Sequence, residues 1–272
     1  MQKVFINVAA PFFQRCVPTS CTPVAALRLQ TAAMMGCILD ISAPPPSKKP
    51  SWPSAQVWQH FRTPTDMLLA NMVAVLGETT GHLALINLRD RMKNDPEGYT
   101  VLTERPRIRL STLDLSRMAS LPDGSFGREY LRFLEDNHVT PDSRAEVKFV
   151  DNEELAYVMQ RYREVHDLLH TLLGMPTNML GEVAVKWFEA AQTGLPMCAL
   201  GALLGPLRLN TSRLQTLFTS LGPWALQNGR RARCILSVFY ERRWEQSLED
   251  LRQELNIEPP PVVLSATKKK ST

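Results

Sequence analysis

From about Pro64 onward, apolar residues recur at the three-to-four-residue spacing of helices that face a core. The strict alternation of a half-buried strand is scarce. "TPTDMLLANMVAVLGETTG" predicts an apolar helix entered at Thr65 or Asp66 and ended near Gly77. "TGHLALINLRDRMKND" predicts a second, capped by Thr79 or Thr80 and stopped before Pro96. A short helix around Glu97–Glu104 ends at Pro106, and "STLDLSRMASLPDGSFGREYLRFLEDN" reads as two more around the turn Pro122–Gly124. "DNEELAYVMQRYREVHDLLHTLLG" opens at Asp151 with Glu154 three residues on, a capping-box spacing, and closes at Gly174. Another helix runs from about Thr177 to Gln192, and the amphipathic "CILSVFYERRWEQSLEDLRQELNI" predicts the last. There is no internal repeat. The expected fold is all-α, a single helical domain over residues 65–262.

The ends differ from this body. Residues 1–39 contain no acid but hold Lys3, Arg15 and Arg28 among several Ser and Thr, the bias of a mitochondrial targeting segment. Pro11, Pro18 and Pro23 interrupt any long apolar run, which argues against a secretory signal. "SAPPPSKKPSWPS" reads as an extended linker, so 1–64 is a leader-like segment plus linker, and 263–272, with Lys268–Lys270, a disordered basic tail. An untargeted, disordered front remains the plainer alternative.

The formal charge of +4 changes meaning once divided. Residues 1–65 carry six basic side chains against Asp40 alone, which leaves the remainder at −1. A nucleic-acid binder concentrates its positive charge on the folded domain, so that class is set aside. Five cysteines, three of them before residue 40, form no disulfide framework; Cys198 and Cys234 read as buried thiols of a reducing compartment. No run reaches the ~20 apolar residues that span a bilayer.

One stretch carries candidate chemistry: "HDLLHTLLGMPTNMLGE", residues 166–182. On a helical wheel with Leu155 at zero, the apolar stripe spans about 260° to 40°; His166 falls at about 20°, His170 at about 60° and Asp167 at about 120°. These side chains fan from the core face to its edge. Gly174 ends the helix and Pro176 prevents its continuation, while Thr177 offers a cap for the next. So short a connection makes the two helices antiparallel neighbours. His170 then lies about 6 Å and Glu182 about 7.5 Å from the turn, at nearly the same height. His residues at i and i+4 stand about 5–6 Å apart, a span that one ion with bonds of about 2 Å can bridge. His166, Asp167, His170 and Glu182 are therefore candidate ligands of a divalent metal.

Each also has a plainer reading. Asp167 can pair with Arg163, His166 can be a core histidine bonded to a backbone carbonyl, and Glu182 can pair with Lys186. The likeness to HExxH metalloproteases is weak, since Asp replaces Glu and such enzymes need an edge strand. "LPMCALGALLGPLRL", residues 195–209, reads as a buried helical hairpin; the alternative is a wall for a lipid tail or a surface that dips into a bilayer. Small residues such as Ala202 and Gly205 would leave room for such a chain.

"MVAVLGETTG", "ERPRI", "GREYLRFL", "ELAYVMQRYREVHDLLHTLLGMPTNMLGE", "KWFEAAQTGLPM" and "YERRWEQSLEDLRQEL" together resemble the mitochondrial ubiquinone (coenzyme Q) biosynthesis family that is fourth in the Coq series. The resemblance runs from about Met72 to Ile257 and includes the HDxxH-x11-E motif in full; residues 1–70 do not follow the family pattern. It implies an all-α fold with an apolar interior that accommodates an isoprenoid lipid. It also implies zinc on His166, Asp167, His170 and Glu182; a two-His, carboxylate set can equally hold iron or another divalent metal. The implied place is the matrix side of the mitochondrial inner membrane, as a peripheral protein with a transit peptide. The implied activity is C1 decarboxylation, with C1 hydroxylation, of 4-hydroxy-3-methoxy-5-polyprenylbenzoate, a lyase reaction. The implied partners are that polyprenylated lipid, the membrane surface, and other coenzyme Q enzymes: methyltransferases, hydroxylases and a lipid-binding subunit. The alternative is a non-catalytic lipid-binding scaffold with a structural zinc.

Overall fold

Short polar side chains set where the helices start. In the structure, a computed structural model that describes residues 75–143 and 146–264, a helical stretch over 75–80 is followed by α1 (His82–Lys93) and α2 (Pro96–Glu104). Asp95 caps α2 by accepting the Gly98 N–H at 2.9 Å. Asp114 and Ser125 cap α3 (Leu115–Ser120) and α4 (Phe126–Asn137) in the same way. Then come α5 (Glu153–Leu173), α6 (Met179–Thr193), α7 (Pro196–Leu204), α8 (Thr211–Thr216), α9 (Gly222–Arg231) and α10 (Leu248–Glu254). A π-turn over Leu217–Leu221 joins α8 to α9. Among the described residues there is no strand, only an isolated bridge between Ser125 and Ser247. The all-α expectation stands. Residues 1–64, the first turns of the helix expected from Thr65, and the tail from 265 lie outside the described residues.

Helix α5 is enclosed. It packs on α1 and α4 and meets α6 across the hairpin, while α6 also packs on α9 and α7. The wheel gave α5 one apolar stripe, yet every residue from Tyr157 to Leu173 is buried. The polar positions away from the stripe take protein partners instead of water. Arg161 Nη1 reaches Glu241 at 2.5 Å and its Nη2 donates to the Val238 carbonyl; Arg163 reaches Glu78 at 2.5 Å; Glu164 accepts from Arg107 and from the Ile108 N–H. A buried ion with such partners is tolerable and one without them is not.

Several boundaries moved. The stretch expected to end near Gly77 stays helical to residue 80. Thr79 and Thr80 do not cap α1, because their hydroxyls donate back to the Val75 and Leu76 carbonyls of the preceding turn. The α5 cap is Asn152, whose side chain accepts the Leu155 N–H, so the Asp151–Glu154 capping box does not form. Asn178 likewise caps α6 in place of Thr177, whose hydroxyl donates to Asn137.

The expected final helix is mostly absent; only Leu248–Glu254 is α-helical, with single 3-10 turns at Ile235–Ser237 and Tyr240–Arg242 before it. Its front half sends its backbone groups elsewhere. The Phe126 and Gly127 N–H groups donate to the Gln246 and Trp244 carbonyls, and the Phe239 N–H donates to Glu97. Amphipathic spacing cannot reveal such long-range partners.

Residues 195–209 are not a buried hairpin either. Met197 and Cys198 are buried, but Leu203 and Leu207 are 71% and 74% exposed. Nor does Gly205 leave room for a lipid: a Cβ there would lie 2.5 Å from Val183 Cγ2, so the missing side chain lets this turn press against α6.

Candidate metal centre

The hairpin between α5 and α6 closes as its turn residues dictate. Gly174 adopts φ 63°, a left-handed conformation that a Cβ disfavours. The Met175 N–H then donates to the His170 carbonyl. Gly181 permits a closer approach still, since a Cβ there would stand 2.0 Å from the Pro176 carbonyl oxygen. Two stripes face each other as a result. Tyr162, His166 and His170 recur every four residues on α5; Glu182, Lys186 and Glu189 follow the i, i+4, i+7 pattern on α6.

His166, His170 and Glu182 each offer a ligand atom, and the three atoms lie within 4.8 Å of one another. Glu182 Oε2 is 3.6 Å from His166 Nε2, and its Oε1 is 3.4 Å from His170 Nε2. The imidazole rings meet edge-on at 90°, centroids 5.0 Å apart. Asp167 is buried beside them but stands outside this three-residue cluster.

Both imidazoles are held from behind. His170 Nδ1 is 3.0 Å from the Met175 carbonyl, which can only accept, so Nδ1 carries the proton and Nε2 is turned into the site. That Nε2 is buried and has no hydrogen-bond partner. His166 Nδ1 lies 2.7 Å from Glu189 Oε1. A buried imidazole nitrogen that makes no hydrogen bond, a second imidazole and a carboxylate at 3.4–3.6 Å form a donor set that suits a divalent cation. The residues present fit zinc or iron.

Electrostatics bind the parts together. Burial works against charge on His170, but Glu182, Asp167 and the Met175 carbonyl together hold its pKa above the usual histidine value. Burial likewise opposes ionisation of Glu182, and His170 and His166 together hold its carboxyl well below the usual carboxylate range. Glu189 is 0% exposed and ionised, its burial outweighed by Lys186 and His166. Lys186 Nζ donates to Glu189 at 2.6 Å and to the Tyr162 hydroxyl at 3.1 Å. Cys198 is less apolar in its surroundings than expected, at 3.1 Å from the Tyr162 hydroxyl; burial pushes its thiol up to about 12.

The sequence-predicted residues thus divide. The structure brings His166, His170 and Glu182 together and leaves Asp167 just outside. Two of the plainer readings change partner: Lys186 pairs with Glu189 in place of Glu182, and it is His170, not His166, that meets a backbone carbonyl. Sequence reasoning missed Glu189 and Tyr162 and gave Lys186 another partner. Glu189 stands seven residues after Glu182, on the same face, and that spacing was the available signal.

Comparison with known proteins gives the family. The family model described as "Coenzyme Q (ubiquinone) biosynthesis protein Coq4" matches residues 56–261, beginning upstream of Met72. The chain is 80% identical over 202 residues to the mitochondrial ubiquinone biosynthesis protein COQ4 homolog of Danio rerio, covering 74% of each chain. It is 68% identical over 192 residues to the Homo sapiens protein of that name, covering 71% of this chain and 72% of that one. A crystal structure from Nostoc punctiforme, of a protein provisionally assigned to ubiquinone biosynthesis, shares the fold. Its TM-score is 0.55 at 20% identity, covering 68% of this chain and 87% of that one. With the family model matching most of its length and so close a relative, this chain belongs to the Coq4 family of coenzyme Q (ubiquinone) biosynthesis proteins.

Proposed function

We propose that this protein binds one divalent ion, zinc foremost, on His166, His170 and Glu182, and there removes the C1 carboxyl of a polyprenylated 4-hydroxybenzoate during coenzyme Q synthesis. The single observation that carries this reading is His170 Nε2, buried without a hydrogen-bond partner and 3.4 Å from Glu182. Asp167 is the fourth ligand, exchangeable for a substrate carboxylate because it stands outside the cluster. When bound, the ion supplies a Lewis acid for the substrate's carboxylate and phenolate oxygens.

The chain's own groups prepare that chemistry. His166 and His170 form a floor closed to water, and Glu182, 35% exposed, marks the open side. Loss of carbon dioxide leaves the bonding electron pair on C1, which a proton then takes up. Hydroxylation at C1 instead would need dioxygen as oxidant.

Access for a lipid has its own support. Gly201 lies over Lys186 and Gly205 over Val183, so the apolar stretch borders the α6 face that carries Glu182. Leu203 and Leu207 are exposed, as is Phe218, whose ring meets Trp187 at 5.8 Å; Trp187 Nε1 in turn donates to the Ala202 carbonyl. From 190 to 240 the sequence contains no acid; of its five arginines, Arg231 is taken by Glu258 and Arg233 by Asp95 and Glu97, while Arg208 and Arg213 follow the strip directly in sequence. An apolar strip among arginines suits the anionic surface of a membrane on which a polyprenyl substrate resides. No helix among the described residues is long and apolar enough to cross a membrane. We place the protein on the matrix side of the mitochondrial inner membrane, in contact with other enzymes of coenzyme Q synthesis. The relatives are named mitochondrial, and the acid-free first 39 residues suit a transit peptide.

A second reading is a lipid-binding scaffold with a structural metal. It is favoured by how deeply His170 is enclosed, at 1% exposure. Purified metal-loaded protein given the prenylated hydroxybenzoate labelled at its carboxyl carbon should release labelled carbon dioxide, and the metal-free protein should stay folded but inactive. Unfolding on metal removal, with no release from the loaded protein, would favour the scaffold.

A further inference from the structure

We infer that Glu189 is the positioning residue of the metal centre: with Lys186 as counter-charge, it fixes the His166 ring so that Nε2, and not Nδ1, is offered to the ion. The inference rests on the metal reading proposed above and assigns a role to residues outside the HDxxH-x11-E motif.

The two Glu189 oxygens do different work. Oε2 takes the Lys186 ammonium at 2.6 Å, the Tyr162 hydroxyl at 2.9 Å and the Cys198 thiol at 3.7 Å. Oε1 faces His166 Nδ1 at 2.7 Å. A carboxylate crowded by donors on one side keeps its other oxygen as an acceptor, and an acceptor at Nδ1 puts the proton there and the lone pair on Nε2. Among the described residues Glu189 is the carboxylate that pairs with Lys186, and Lys186 is itself tethered to Tyr162, so the pair is locked from two helices.

Carboxylates behind metal-ligating histidines orient the ring and raise its basicity. The two histidines are not equivalent here. His170 is backed by a neutral carbonyl, His166 by a carboxylate whose charge Lys186 shares. Glu189 is 0% exposed, which leaves it no part in contacting substrate.

The test uses the full chain with zinc or cadmium alone. Zinc affinity is measured by competition with a chromophoric chelator for wild type and E189Q, beside the melting temperature of each metal-free protein. Long-range proton–nitrogen spectra of the cadmium-113 form of wild type identify the His166 nitrogen bound to metal. E189Q is expected to weaken zinc binding about 10–100-fold while the metal-free protein stays folded, and His166 to show a protonated Nδ1 with cadmium coupled to Nε2. Zinc affinity in E189Q within twofold of wild type, or cadmium on Nδ1, overturns the role of Glu189 while leaving the metal centre intact. The wild-type spectrum decides alone should E189Q fail to fold. A wild-type protein that binds neither ion overturns the metal reading itself, and this inference with it.

Discussion

His170 Nε2 and Glu182 Oε1 face each other at 3.4 Å across the α5–α6 hairpin, and the imidazole nitrogen makes no hydrogen bond. In the metal-free protein the two form a loosely set ion pair; a cation between them would satisfy both. Zinc should therefore raise the melting temperature, by linkage worth about 2.7 kcal/mol when free metal is a hundredfold above Kd. E182Q gives up the pair with His170, so it should lower the metal-free melting temperature somewhat and, beyond that, forfeit most of the gain from zinc. D167N should weaken zinc less, at most about tenfold (about 1.4 kcal/mol), because Asp167 stands outside the three-residue cluster. Thermal scans with zinc and with chelator check both. A D167N loss as large as that of E182Q would make Asp167 an equal and permanent ligand.

The apolar strip makes a second prediction. Each exposed leucine is worth up to about 2 kcal/mol on entering an acyl region, and nearby arginines add about 1 kcal/mol apiece on anionic lipid. Replacing Leu203 and Leu207 together by Glu should lower co-sedimentation with anionic vesicles on the order of a hundredfold. Both side chains are more than two-thirds exposed, so the melting temperature should hold. Unchanged vesicle binding would reject this face as the membrane contact.

The legible parts of this chain were those written in local spacing. The α5–turn–α6 hairpin follows from Gly174, Pro176 and apolar periodicity, and two histidines four apart must share a face. Glu182 could be placed because so short a turn fixes the relative height of its flanks. What stayed hidden depends on distant partners. No local pattern says that Arg161 will be buried against Glu241, eighty residues on, or that Phe239 will give its N–H to Glu97 instead of to a helix. Gly205 shows the same limit: read as room for a lipid, it is room already taken by Val183.

Acid should loosen the segment that replaced the expected final helix. Arg233 clamps Asp95 and Glu97 at 2.9 Å each, and Arg243 reaches Glu97 at 3.1 Å. Burial alone would raise both carboxyls. Arg233 and the Gly98 N–H on Asp95, and the Phe239 N–H with both arginines on Glu97, outweigh it and hold both pKa values below their ordinary 3.8 and 4.5. A carboxyl depressed in the folded state stabilises fully above its unfolded pKa, and that share is lost as pH falls through the folded value. Stability should hold down to about pH 5 and then fall as pH passes 4.5 and 3.8 and continues below. In the double variant D95N/E97Q, Asn keeps the α2 cap but the charge is gone. Its melting temperature should start lower at pH 7 and fall less between pH 5 and pH 3. Parallel acid limbs in the two proteins would remove these groups from the explanation.

Gly181 tests whether closeness of the hairpin matters to the ion. It precedes Glu182 directly, and a Cβ at this position would stand 2.0 Å from the Pro176 carbonyl oxygen, a backbone atom that no rotamer change can move. Alanine must push α6 away from the turn, at a cost of about 1–3 kcal/mol for forcing atoms into a packed site. Its φ is not in the left-handed region, so the cost is contact and not backbone conformation. The displacement carries Glu182 away from His166 and His170, so G181A should lose zinc affinity as well as melting temperature. Gly194 is the control: it ends α6 at φ 67° with open space around it, and alanine there costs only local backbone strain. G181A should therefore weaken zinc where G194A, at comparable destabilisation, does not. Equal zinc affinities in the two variants would separate the packing of the turn from the geometry of the metal centre.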